Sequence, residues 1–182
     1  MTDMKVEELQ RVLHHVLGSP RGEGRVEMVV RRPDQGEREV LIEARIEPCH
    51  GVVGDRWGAK PARSPDAEVT LMNARCIAVL AGAVDRWPLA GDQLYVDFDL
   101  GVDHLPVGTR VTVGEAVLEV SAKPHRGCAK FSARFGPEAL RLVRSDAGMA
   151  ARLRGMNTRV VRGGVVRTGD PIAKLDGGRG AA

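Results

Sequence analysis

Apolar residues recur at helical spacing at the start of the chain, where Val6, Leu9, Val12, Leu13, Val16 and Leu17 share one side of a helix predicted over residues 4–17. Gly18-Ser19-Pro20 stops that helix, and Arg21-Gly22-Glu23-Gly24 makes a glycine-rich link. From Arg25 the period changes to two. Val26, Met28 and Val30 alternate with polar residues, Pro33-Asp34-Gln35-Gly36 turns the chain, and Val40, Ile42, Ala44 and Ile46 alternate again, which predicts a hairpin. A Gly- and Pro-rich loop covers 48–67, and the run from Leu71 reads as a helix ending at Gly82. Leu94, Val96, Phe98 and Leu100 then mark one face of a strand, followed by short strands at 110–113 and 116–122 around a tight turn at Gly114-Glu115. Pro137 opens a helix to about Arg144, a second helical piece falls near 147–153, and a terminal hairpin is expected across Arg162-Gly163-Gly164.

Strands joined by short turns, with few long helices between them, predict a mainly β chain with small helices (α+β), folded as a closed or partly closed antiparallel or mixed barrel. The β pattern begins only after Gly24. The expected organisation is therefore a helical appendage at 1–24, one barrel domain at 25–174, and a disordered tail at 175–182 (LDGGRGAA). The 182 residues suit one domain of ordinary size.

Composition narrows this picture. Hydrophobic residues make up 43% and charged residues 28%, and no stretch approaches the roughly 18 uncharged apolar residues that span a bilayer, so no membrane role is expected. The first ten residues contain acids and no basic-then-apolar export pattern follows, which points to a cytoplasmic protein. Three cysteines without a C-x-x-C pair argue for reduced thiols over a disulfide framework.

The net charge of +3 hides a segregation: Val120 to Gly169 holds eleven cations against two acids, Glu138 and Asp146. Such a block attracts an anionic ligand. Single-stranded nucleic acid is disfavoured, because the block offers only Phe131 and Phe135 for base stacking.

Candidate chemistry gathers at Lys123-Pro124-His125-Arg126-Gly127-Cys128-Ala129-Lys130, a loop at the end of a strand. Cations at Lys123, Arg126, Lys130 and Arg134, with no acid between Glu119 and Glu138, favour a Cys128 thiolate. Gly127 admits close backbone approach, and His125 can handle a proton or orient a substrate. Cys76, in the middle of a predicted helix, reads as an inert core residue. Cys49 and His50 could join His125 and Cys128 around zinc, although adjacent Cys49 and His50 lack the usual ligand spacing. Asp55 and Asp92, each after a glycine, read either as turn residues or as site residues.

These segments resemble the MOSC family, the C-terminal domain of molybdenum-cofactor sulfurases that also occurs as a stand-alone bacterial protein. The matching pieces are Gly54-Asp55, Gly91-Asp92-Gln93-Leu94, Leu105-Pro106-Val107-Gly108 and Pro124 to Phe131. The resemblance implies a β-barrel of MOSC type and aligns Cys128 with the family's functional cysteine, which carries a persulfide or ligates molybdenum. It implies a molybdenum cofactor, with Lys123, Arg126, Lys130, Arg134, Arg152, Arg154, Asp55, Asp92 and Gln93 as candidate contacts and Arg/Lys side chains suited to its phosphate. Many cofactor-binding members carry Gly-Glu-Asn-Leu where this chain has Gly91-Asp92-Gln93-Leu94. Larger relatives have a pyridoxal-phosphate desulfurase before the domain. This chain lacks the length for one, so no pyridoxal phosphate is expected, and a separate cysteine desulfurase or sulfur-acceptor protein would be the partner. Other readings are a cofactor-dependent reductase of N-hydroxylated compounds and a non-catalytic anion-binding module.

Overall fold

The computed structural model describes residues 6–175, with side chains from Gln10 onward. Residues 1–5 and 176–182, which include nearly all of the expected disordered tail, lie outside the described residues. Seven strands close into a mixed barrel: β1 (Glu23–Arg31), β5 (Val69–Asn73), β6 (Leu94–Asp97), β7 (Arg110–Val113), β8 (Ala116–Val120), β9 (Met156–Arg162) and β11 (Pro171–Lys174). Their order is β11-β7-β8-β9-β5-β6-β1, and pairing of β1 with β11 seals the ring. All neighbours are antiparallel except β5 and β6. Closure matters physically, because a closed ring leaves no unpaired edge among its members. β2 (Glu39–Leu41) extends β1, while β3 (Glu43–Glu47), β4 (Gly51–Val52) and β10 (Gly164–Arg167) form a small separate sheet.

Two apolar layers hold this together. Inside the barrel pack Val26, Val29, Leu71, Leu94, Val96, Phe98, Leu118 and Ile172, among others. Outside, α1 (Val6–Leu17), α3 (Ala74–Ala81), α4 (Ala129–Phe135) and α5 (Pro137–Arg144) cover Met28, Val30, Met72 and Tyr95 through Val12, Val16, Cys76, Ile77, Phe131 and Val143. The N-terminal helix thus packs on the outer wall of the barrel.

The barrel strands read as expected from their alternation, with three local departures. Val26, Met28 and Val30 do not share a face: a β-bulge between Val26 and Met28 keeps Val26 and Val29 in the barrel and turns Met28 and Val30 towards the helices. The run from Leu71 to Gly82 is not one helix. Val69–Asn73 is a strand buried on both faces, whose continuous apolar pattern imitates a buried helix, and α3 begins only at Ala74. Asn73 makes the switch by capping: its Oδ1 accepts from Cys76 N at 3.1 Å while its Nδ2 donates to Ser19 Oγ and Phe98 O. Lastly, β9 and β10 flank Gly163 without pairing with each other. β9 pairs with β5 and β8 and β10 with β3, so the expected terminal hairpin is a crossing between two sheets.

Sequence pattern also passed over α4, α2 (Arg56–Ala59) and a 3₁₀ segment at Val84–Ala90, all too short to show a period. The second helical piece is α6 (Asp146–Ala150), and turns lead from it to Gly155. Gly155 has φ +99°, and a Cβ there would strike the Leu71 carbonyl. Gly155→Ala should accordingly lower stability by about 2 kcal/mol or more in chemical denaturation; an unchanged midpoint would show that this backbone relaxes freely.

Candidate functional site

The loop from Ser121 to Gly127 leaves β8 and is tied down at three points. Ser121 Oγ donates to Asp66 O at 2.6 Å, Asn157 Nδ2 donates to Lys123 O at 3.1 Å, and Arg144 donates to Gly127 O through Nε and Nη2 at 3.1 and 2.6 Å. Gly127 is packed so closely on α5 that a Cβ would lie 2.6 Å from Leu140 Cδ1. The loop is therefore rigidly seated where it delivers Cys128 to the N-cap of α4.

Cys128 is exposed and extended (φ −124°, ψ 179°). Its pKa is lowered from the ordinary thiol value, first by the backbone N–H of Phe131 and then by that of Lys130, against the effect of partial burial; the charges of Arg154 and Arg134 add to the shift. Of the cations expected to act on it, Arg134 does so, whereas Arg154, remote in sequence, outweighs Lys123 and Arg126. The other thiols differ. Cys76 is fully buried, donates to Leu153 O at 3.2 Å, and is pushed up to about 12 by burial. Cys49 is exposed in a left-handed turn (φ +65°). Among the described residues no three His, Cys, Asp or Glu groups gather closely enough to hold a metal ion. Cys49 and His50 therefore do not complete a zinc site with His125 and Cys128.

Behind the thiol sits a buried polar cluster. Asp92 has no exposed surface, and its Oδ2 accepts from Arg154 Nη1 at 2.6 Å. Arg154, 8% exposed, also donates from Nη2 to Ala90 O at 2.9 Å and lies 5.0 Å above the Phe131 ring. His125 Nε2 stands 2.9 Å from Asp92 Oδ1, out of line for a hydrogen bond, and both atoms are without a partner, as is Arg154 Nε. Burial lowers the His125 pKa to about 4, with Asp92 opposing and Arg154 and Arg32 assisting, so the imidazole is neutral at pH 7. His125 and Arg154 share the wall of a cavity of about 170 Å³ with Lys123, Arg152, Asn157 and apolar Val143 and Met149.

The remaining candidate residues are spread more widely. Lys123, Arg126 and Lys130 are exposed around the loop. Arg152 (φ +47°) spends Nη1 on Leu100 O and Leu105 O at 3.0 and 2.7 Å. Gln93 is fully buried, its Oε1 accepting from Thr70 N and Oγ1 while its Nε2 has no partner. Asp55 caps α2 by accepting from Trp57 N, and also takes Arg32 Nε, Nη2 and backbone N at 2.9 Å each. Arg32 and Arg38 escaped the charge count. Both lie outside the basic stretch and reach this region only because β1 and β2 run beside the turn before β6.

Residues 86–173, which include Asp92, His125, Cys128, Arg134 and Arg154, match the model of the MOSC domain. That stretch is similar to the MOSC domain. The matched stretch runs from the 3₁₀ segment into β11, and β1 and β5 complete the barrel from outside it. Solved structures share the fold at low identity. The YUAD protein from Bacillus subtilis superposes with a TM-score of 0.62 at 16% identity, covering 82% of this chain and 94% of its own. YiiM from Escherichia coli gives 0.56 at 19% identity over 84% and 70%, and YiiM from Geobacillus stearothermophilus gives 0.57 at 15% over 87% and 78%. A comparison with curated protein sequences gives no match. No helix among the described residues is long and apolar enough to cross a membrane.

The neutral His125 generates a pH signature. Folded, it stays unprotonated down to about pH 4, whereas the unfolded side chain takes a proton near 6.5. Its contribution is whole above pH 6.5 and is lost as pH falls towards 4, by up to about 3 kcal/mol. Urea unfolding across that window should slope less steeply for His125→Gln than for the parent protein; equal slopes would remove His125 as the cause.

Proposed function

We propose that this chain is a sulfur carrier that holds a persulfide on Cys128. The observation that carries the reading is the contrast among the thiols: one exposed cysteine with a lowered pKa beside arginine charge, against a sealed Cys76 raised to about 12. The thiolate form is the nucleophile. Cys128 Sγ attacks the outer sulfur of a donor's persulfide, a new S–S bond forms, the donor's S–S bond breaks, and the donor leaves as a thiolate. The product anion remains near Arg134 and Arg154, whose charges favour it as they favour the thiolate. His125, being neutral, neither repels a cationic partner group nor competes for the anion. The partner on this reading is a separate cysteine desulfurase, or a protein that accepts the sulfur, and the setting is the cytoplasm.

The molybdenum cofactor implied by the family fits the same residues, which supports a second reading as a cofactor-binding module or reductase. Cys128 would offer one thiolate to the metal, and Arg134, Arg154 and Lys123 would neutralise phosphate. The unpartnered Arg154 Nε beside the cavity is the observation that favours it. When bound, the group would supply two-electron redox chemistry towards N-hydroxylated compounds. Stoichiometric molybdenum in gently purified protein would favour this reading over the carrier.

The carrier is tested by peptide-resolved iodoacetamide labelling as pH is lowered, followed by incubation with a cysteine desulfurase and cysteine. Cys128 should label faster than Cys49 at pH 7, keep its rate below the ordinary thiol pKa, and gain one sulfur. Labelling no faster than Cys49, with no sulfur taken up, would overturn the carrier and, in protein without molybdenum, leave only a non-catalytic anion-binding module.

A further inference from the structure

The turn from Pro88 to Gly91 presents four successive carbonyl groups, and each takes an arginine. Arg38 Nε donates to Pro88 O at 3.1 Å, Arg134 Nη1 to Leu89 O at 2.6 Å, Arg154 Nη2 to Ala90 O at 2.9 Å and Arg32 Nη1 to Gly91 O at 2.7 Å. Two of the four are neutralised, Arg32 by Asp55 at 2.9 Å and Arg154 by Asp92 at 2.6 Å. Arg38 and Arg134 have no carboxylate in salt-bridge contact among the described residues.

Consecutive Cα atoms lie about 3.8 Å apart, so adjacent carbonyls hold these two guanidinium groups close together despite their repulsion. A carbonyl orients a guanidinium without cancelling its charge. The strain of the arrangement shows at Arg38, whose pKa is lowered by burial and then by the charges of Arg134, Arg32 and Arg56. Donors remain unused. Arg38 spends Nε and Nη1, the latter on Glu37 O, and Arg134 spends Nη1, leaving an Nη2 on each without a bond. Arg134 belongs to α4, which Cys128 caps at its N-terminus, and helical side chains lean towards the N-terminus. The charge of Arg134 acts on the Cys128 sulfur. Next to this pair, the buried Nε–H of Arg154 also lacks an acceptor.

We infer that Arg38 and Arg134 form an oxyanion clamp beside Cys128 and that, on the sulfur-carrier reading on which this rests, the clamp takes the sulfonate end of thiosulfate. The free Nη2 group of each guanidinium offers N–H donors and positive charge to the tetrahedral oxygens of a dianion. The clamp holds the oxygens while the outer sulfur faces the thiol. Cys128 Sγ⁻ attacks that outer sulfur, the Cys128 S–S bond forms, the bond between outer sulfur and sulfonate breaks, and sulfite departs with the electron pair. The product is a Cys128 persulfide anion, and no further oxidant or reductant enters. Negative charge collects on the departing sulfite at the place where the two cations are already fixed. Sulfate and phosphate share the clamp's chemistry but carry no transferable sulfur, so they are inert competitors.

The test incubates the full chain with sodium thiosulfate and reads the mass of the Cys128 peptide together with released sulfite. Cys128 should gain one sulfur with one sulfite formed, and sulfate should slow the gain. Arg38→Gln should lower the thiosulfate rate about tenfold, the factor expected for loss of one charge-assisted hydrogen bond, with little effect on alkylation by neutral iodoacetamide. Arg134→Gln should slow both, thiosulfate about tenfold more than alkylation, because its charge also favours the Cys128 thiolate. Arg134→Lys, which keeps the charge and loses the fork, should recover only part of the rate. If the protein takes sulfur from a cysteine desulfurase but none from thiosulfate, the clamp's assignment falls and the carrier stands; if it takes sulfur from neither, both fall. Equal slowing of iodoacetamide and thiosulfate by the glutamine variants would mean that the arginines act only on the thiol, and would overturn the clamp.

Discussion

Asp92 is a carboxylate with no exposed surface, and the region around Cys128 is organised by the need to compensate it. Arg154 supplies the opposite charge from the approach to β9, and the same guanidinium binds Ala90 O and covers Phe131 on α4. A buried ion pair of this kind is costly to break, because removing one partner strands the other in low dielectric. The pair joins the start of β6, the beginning of β9 and the helix that Cys128 caps. It also brings an arginine charge to the sulfur without consuming it in solvent.

The same burial gives two titratable groups opposite characters. His125, desolvated beside the pair, is held neutral, while Cys128, a few residues further and in the open, is drawn towards its anion by the first turn of α4 and by arginine. Cys76 carries the same functional group and lies beneath the helical layer, where desolvation outweighs the nearby Arg154 charge. Chemical identity is equal; access to water decides which thiol can react.

The two-layer packing explains why the site sits where it does. The barrel interior is packed with apolar side chains, and the polar cluster lies on the outer wall, where the loop after β8 and the turn before β6 meet beside α4 and α5. Closure of the ring makes that wall rigid, and hydrogen bonds from Ser121, Asn157 and Arg144 fasten the loop to it.

Alternation along the chain was enough to specify most barrel strands, the turn at Gly114-Glu115, the N-terminal helix and the helix at Pro137, because these are set by local period and by turn and cap residues. The same local reading singled out Cys128 from its neighbours and placed Cys76 in the core. It failed where a pattern is ambiguous by itself: Val69–Asn73 is apolar on both faces and reads as helix, one bulge at Glu27 exchanges the faces of β1, and Gly163 separates strands of different sheets. Charge counted along a window found the basic block but missed Arg32 and Arg38, since proximity across a barrel is settled by strand order and not by sequence distance. The sequence by itself therefore determined most of the strands, the loop that carries Cys128 and the sign of the charge around it. Only the tertiary structure decided which cations share that field, which carboxylates cancel them, and which histidine is stripped of its proton, because those depend on burial and through-space distance.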